Sequence, residues 1–366
     1  MAAPGIAMEG TGARRAIAGL LVLAAASPAL AGDGDSDPAA GAPATAAAVD
    51  AAVRKAKPGV VPVLVATVPG LFASGAGTWT AGDKATGAGL FQLQLLGLGI
   101  GSAGALPMFL SGASRRTTAL TMPLVLVGSG IFLGSWVADI YASATGGRDR
   151  AAFPAPDIEG SAGYAYVHDP QFDYASFAVV DADFRWGAWR ATPSAWIAVD
   201  DDTQRLRGEG AWTFWRRGDS SFAEARAAAT LHRTGDYDFD VYTVEVSALG
   251  RYAMERLGAP LRGSFLEIGI GVGEEIYRID GETFSVDLPI ARAGYGMYLG
   301  RGEAQVYYDH RHDELTGGLG TGLQFDGPYG HFGVEGMYWL TDRWGVEAQL
   351  EIGSALTGRL ALLWAL

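Results

Sequence analysis

Between Trp344 and Gly353 the side chains divide strictly by parity. Trp344, Val346, Ala348, Leu350 and Ile352 form one set, and Gly345, Glu347, Gln349, Glu351 and Gly353 the other. Successive side chains of an extended chain point to opposite sides, so this stretch is a strand with one apolar and one acidic face. A helical period cannot satisfy that pattern. Similar segments, each closed by a turn signal, fill the chain from Asp157 to Leu366.

About twelve such strands are expected, over 158–168, 174–186, 188–200, 204–217, 221–233, 238–252, 261–274, 284–299, 302–313, 316–326, 329–340 and 343–365. The last is long enough to be a hairpin broken around Gly353-Ser354. Turns are signalled by Asp169-Pro170, Asp200-Asp201-Asp202, Gly235-Asp236, Asp280-Gly281, Gly300-Arg301-Gly302, Asp326-Gly327-Pro328 and Thr341-Asp342. No amphipathic helices intervene, which makes the sheet antiparallel. Pro289 and Arg292 interrupt the alternation of 284–299, and a bulge or an edge is expected there.

Alternation alone does not say which face is inside, but three features place the apolar face outward, against lipid. The segments are as long as tilted membrane-crossing strands. Aromatic residues gather near strand ends, among them Tyr174, Trp186, Trp189, Trp212, Trp215, Tyr298, Tyr308, Tyr338, Trp344 and Trp364, as in an interfacial girdle. The chain also finishes in an alternating strand, Leu360, Leu362, Trp364, Leu366, similar to the terminal strand read by barrel-assembly machinery, although Leu stands where Phe or Trp is usual. The expected fold is mainly β. It is an antiparallel up-and-down transmembrane β-barrel over 155–366, preceded by a Gly-rich hydrophobic α-helical segment over 58–147.

Ahead of these lie two further regions. Residues 1–31 carry Arg14-Arg15, an apolar run from Ala16 to Ala26 and Ala29-Leu30-Ala31, the three parts of a secretory signal. Residues 32–57 are rich in Ala, Pro, Gly and Asp and read as a linker. In the hydrophobic segment, charge-free stretches are separated only by Asp83-Lys84 and Arg115-Arg116, and Gly97/Gly101 and Gly130/Gly134 permit close helix packing. Two arrangements follow. Either these helices associate with a barrel in the outer membrane, or they span the inner membrane and carry a periplasmic β-domain.

Composition narrows the functional classes. A net charge of −13 leaves no basic surface for nucleic acid. With no cysteine, disulfides, thiolate metal sites and Cys nucleophiles are excluded. A charged fraction of 18% beside 53 glycines suits a chain whose surface partly meets lipid. Gly99-x-Gly101-x-x-Gly104 matches a dinucleotide fingerprint, but no carboxylate follows at the ribose position, and no cofactor is expected.

Gly163-Tyr164-Ala165-Tyr166, Asp169-Pro170-Gln171-Phe172 and the run Tyr307-Tyr308-Asp309-His310-Arg311-His312-Asp313 resemble the uncharacterised outer-membrane β-barrels of Gram-negative bacteria over roughly 155–366. That resemblance implies an outer-membrane location and carries no assigned activity.

Chemistry concentrates in that last run. His310 and His312 share a face with Val306 and Tyr308, whereas Asp309, Arg311 and Asp313 take the other. Outer-membrane lipid hydrolases carry a His and a Ser two apart on an outward strand face. Here the second position is His312, which removes the nucleophile from a site otherwise built on His310, His312 and Asp309. A metal held by His310, His312 and His331 is a second candidate. The third is the lumen, with Glu245, Arg251, Glu267, Glu303, Arg311, Glu335, Glu347 and Glu351 facing inward. Such side chains either fill the barrel or form a narrow cation-favouring pore. The expected role is structural, or the binding or passage of small solutes, rather than catalysis.

Overall fold

The computed structural model describes residues 57–112, 114–148, 156–168, 176–218, 220–234, 239–279, 281–311 and 330–366. The expected signal segment, nearly all of the expected linker, the strand expected over 316–326 and His312 lie outside the described residues.

Twelve antiparallel strands close into a barrel: β1 (Ile158–His168), β2 (Ser176–Trp186), β3 (Trp189–Ala198), β4 (Gln204–Arg217), β5 (Ser221–Thr234), β6 (Phe239–Ala253), β7 (Ser264–Ile279), β8 (Glu282–Tyr298), β9 (Gly302–Asp309), β10 (His331–Trp339), β11 (Trp344–Ile352) and β12 (Leu356–Ala365). Each pairs with its sequence neighbour, and β1 closes the ring on β12 from Glu159↔Ala365 to His168↔Leu356. The long segment 343–365 is a hairpin, as its length allowed, broken between Ile352 and Leu356. We call the rim where β1 starts and β12 finishes the terminal end, and the opposite rim, which carries the β9–β10 connection, the loop end.

The register of β7 with β8 runs through Pro289 and Arg292 without a shift, so no bulge sits there. Pairing of β8 with β9 begins only at Arg292↔Asp309. Pro289 lies beyond the described pairing of β8 with β9. The bulge is elsewhere, between Thr213 and Trp215 on β4. Its extra residue leaves both Phe214 and Trp215 exposed on the outer wall, beside Trp186, Trp189, Trp212 and Trp344. Bulges at a rim re-aim side chains in this way. The result is an aromatic belt at the terminal end, in which the Trp189 and Trp212 rings stack at 6.1 Å.

Outside the belt region the wall is apolar. Val180, Val244, Val246, Val306, Val334, Leu350 and Leu360 are all exposed on it. A surface of that composition is stable against hydrocarbon and costly against water.

Helices precede the barrel: short α1 (Val60–Thr67), α2 (Pro69–Phe72) and α3 (Ala76–Thr80), then long α4 (Lys84–Leu110) and α5 (Arg115–Thr145). Asp83 starts α4 as its N-cap, accepting from the Thr86 N–H at 3.0 Å. Ser114 caps α5, which stops at Gly146 in the left-handed conformation (φ 66°). Both long helices have the length and apolarity of membrane spans.

The hairpin they form packs beside the barrel, neither within it nor away from it. Ile131, Ala138 and Tyr141 of α5 share a core with Leu266 of β7 and Tyr295 of β8, which belong to the outer wall. The expected glycine pairs divide their work between two surfaces. A Cβ on Gly128 would lie 2.3 Å from the Gly101 nitrogen and 2.6 Å from the Gly97 oxygen, so that face of α5 meets α4 backbone to backbone. A Cβ on Gly130 would lie 2.1 Å from Cβ of Ala293, so this face meets β8. At the terminal end the Tyr141 hydroxyl donates to the Arg262 carbonyl at 2.7 Å.

Candidate functional site

The interior of the barrel is the one place where the alternation of many strands brings charged side chains together. Inward positions near the loop end are apolar on one side, where Val167, Phe177, Val179 and Trp196 pack as a buried cluster. Towards the terminal end they are charged.

The charged positions form a continuous chain. Arg251 bonds Glu303 at 3.1 Å and Glu267 at 3.2 Å. Glu267 also receives Arg292 at 3.2 Å, and Arg292 reaches Glu335 at 3.3 Å and Asp309 at 3.6 Å. Asp309 holds Arg311 at 2.7 Å, whose other side faces Glu245 at 3.6 Å. Glu245 takes Arg207 at 2.9 Å, and Arg207 continues to Glu209 at 3.2 Å. Arg190 and Arg226 then join Glu209 to Glu224. Its partners lie on adjacent strands, as Arg292 with Asp309, or two or three strands apart, as Arg292 with Glu335 and Arg251 with Glu303, so the chain lines the β3–β10 arc of the interior.

Aromatic rings back the guanidinium groups. Arg251 lies 3.9 Å from the Phe265 ring centre and Arg292 lies 4.2 Å from that of Tyr307. Tyr307 in turn donates to Glu351 at 2.7 Å, and Gln349 donates to Tyr307 at 2.8 Å. On the opposite wall Arg359 joins Asp181 to Glu347.

Between the charged side chains Glu209, Arg226, Glu245, Arg292, Asp309 and Arg311 and the wall at Ala248, Gly269 and Ile290 lies a cavity of about 30 Å³, room for about one or two waters. Below it, a vestibule of about 700 Å³ is lined by Asp181, Asp183, Arg185, Arg190, Glu224, Glu303, Glu347 and Arg359, among others. Its charges are mixed, carboxylates alternating with guanidiniums.

Every expected lumen position, Glu245, Arg251, Glu267, Glu303, Arg311, Glu335, Glu347 and Glu351, has its charged or polar partner on the inner wall. The sequence reading left out Asp181, Arg190, Arg207, Glu209, Arg226, Arg292 and Arg359. The parity of Arg205, Arg207 and Glu209 on β4 could have found part of this set. The interior is consequently more balanced in charge than the expected acidic list.

Of the histidine candidates, His312 lies outside the described residues, and His310 and His331 fall on opposite faces of the β9–β10 pair. His310 follows Tyr308 on the outer side, where its Nδ1 shares a 2.8 Å hydrogen bond with the Tyr308 hydroxyl. The Gly330 N–H donates to that same hydroxyl at 3.1 Å, tying the bases of β9 and β10 together. His331 is on the inner wall, paired with Asp309 in register and 3.4 Å from Glu351. Asp309, the third residue of the expected hydrolase site, points inward to Arg311 and Arg292. Among the described residues no group of His, Asp and Glu is arranged to hold a metal.

A closed antiparallel barrel with an apolar outer wall, an aromatic belt and a charged interior is the architecture of outer-membrane β-barrel proteins. No family model and no curated protein matches the chain. Among solved structures the chain is similar to the outer membrane protein Omp33 of Acinetobacter baumannii, at 10% identity and a TM-score of 0.34, over 59% of this chain and all of that one. It is also similar to the translocator domain of the autotransporter NalP from Neisseria meningitidis, at 11% identity and a TM-score of 0.33, over 58% of this chain and 89% of that one. A third is the outer membrane phospholipase A of Escherichia coli, at 10% identity and a TM-score of 0.31, over 58% of this chain and 98% of that one.

Proposed function

We propose that this protein resides in the outer membrane and binds small polar solutes in the vestibule at the terminal end of its barrel. The supporting observation is the vestibule of about 700 Å³, whose lining includes Arg207, Glu209, Arg251 and Glu303 of the ion-pair network. A solute entering there meets that network. Binding is therefore favoured over open passage. The mixed lining fits solutes that carry both hydrogen-bonding and charged groups, because Glu224 and Glu347 each have a guanidinium within reach. Barrel-assembly machinery is the expected route of insertion.

Two measurements test this reading. Fractionation and heat-modifiable gel migration address location and fold: recovery in the inner membrane, with no heat-dependent shift, defeats it. Planar-bilayer recording addresses the lumen. The expected result is no steady conductance from the wild type, and a large steady current would replace binding with passage.

A further inference from the structure

We infer that the α4–α5 hairpin is embedded in the bilayer, so that the lipid-facing perimeter of this protein is part barrel and part helix. The inference rests on the reading of the barrel as a membrane protein. The hairpin docks on the same outer wall that carries the lipid-facing residues of the other strands, through Ile131 and Tyr141 against Leu266 and Tyr295. Whatever covers that wall elsewhere must also cover the exposed back of the hairpin.

That back is suited to acyl chains and to nothing charged. Leu95, Leu98 and Leu106 are exposed along α4. No Asp, Glu, Lys or Arg occurs between Lys84 and Arg115. With 27 residues, α4 is about 40 Å long and exceeds a hydrocarbon core of about 30 Å. The buried carboxylate and amide inside the bundle are both paired. Asp139 accepts from the N–H groups of Gly77 and Thr78 at 3.0 and 2.9 Å, and Gln94 bridges Ser74 and Leu71 at 2.7 and 2.9 Å. Satisfied groups of this kind are what a helix needs to remain in lipid. The outer surface of the hairpin is continuous with the barrel's apolar belt, and the occupant it fits is the same hydrocarbon.

The chain has no cysteine, so single labels can be placed at will. In the full-length protein, L98C (back of α4), V246C (barrel wall) and G112C (hairpin tip) are each labelled with a fluorophore. The protein is then reconstituted into phosphatidylcholine vesicles with spin-labelled acyl chains. Loss of fluorescence at both Leu98 and Val246, with Gly112 quenched by aqueous iodide instead, is the expected result. Quenching at Val246 but iodide access at Leu98 overturns the inference and leaves the barrel in place. Quenching at neither overturns both readings. V180C, on a different strand of the same wall, repeats the barrel control should V246C not fold.

Discussion

Arg207 and Glu245 meet as a fork across the width of β5, with Nη1 to Oε1 at 2.9 Å and Nη2 to Oε2 at 3.0 Å. Neither residue belongs to β5, and the bond ties β4 to β6 inside the barrel. Both side chains are largely shielded from water, which makes a lost partner costly.

Glu245→Ala leaves Arg207 and Arg311 without the carboxylate between them. The expected loss of stability is about 3–5 kcal/mol, as for a broken buried pair. Arg207→Ala with Glu245→Ala together should cost clearly less than the two single changes summed, because neither leaves the other unpaired. Urea unfolding of the refolded protein in micelles measures both, and additive costs would remove the fork as a coupled unit.

The ion-pair network is expected to be the barrier in the lumen. Arg292 alone contacts Glu267, Asp309 and Glu335 and covers the Tyr307 ring. Arg292→Ala combined with Arg311→Ala should open single-channel events in planar bilayers where the wild type gives none. Equal silence in that double variant would place the barrier elsewhere.

Hairpin packing depends on the absence of a side chain at one position in α5. Gly128→Val would drive a Cβ into the backbone of Gly97 and Gly101, whereas a Cβ on Gly99 meets nothing within 4 Å. The expected cost of Gly128→Val is about 1–3 kcal/mol, the range for overpacking, with Gly99→Val near neutral. Protease nicking within 58–147 reports the difference, while heat-modifiable migration should show the barrel unchanged in both.

Asp139 is fully buried and accepts three hydrogen bonds, two from backbone N–H groups and one from the Thr78 hydroxyl. Asp139→Leu strands those donors at a cost of about 1–3 kcal/mol each. Asp139→Asn keeps one acceptor oxygen and should be intermediate. The ordering wild type, Asn, Leu in resistance to nicking between 58 and 82 is the outcome to look for, and an unaffected Leu variant would show that these hydrogen bonds contribute nothing.

The β half of the molecule was legible because barrel closure demands a period of two on every strand, and that period is written in residues such as Leu350 and Glu351. Strand ends were harder: β7 runs to Ile279, beyond the expected 274, because pairing with β8 continues after the alternation fades at Glu274-Glu275. The lumen was legible by face but not by partner. Arg292 sits in a strand whose pattern Pro289 obscures, while Arg207 shares the parity of Arg205 and Glu209 and could have been placed by face. Their partners lie on the same, adjacent or next-but-one strands, and which of them would meet depends on the register, which the alternation does not give. The glycines of the hairpin signalled close packing, but which face would meet a helix and which a barrel depends on a wall built far downstream.

That distance has a consequence for how the molecule is made. The hydroxyl of Tyr141 finds its acceptor 121 residues later, at Arg262, and the seat for Gly130 is completed only when Ala293 has been placed. During synthesis from the N-terminus the hairpin exists before any strand it rests on. It must travel without its seat, and a strongly apolar hairpin would be retained by the first bilayer it met. The many glycines, serines and threonines in α4 and α5 temper that tendency, so the features that let the helices pack closely at the destination also let them reach it.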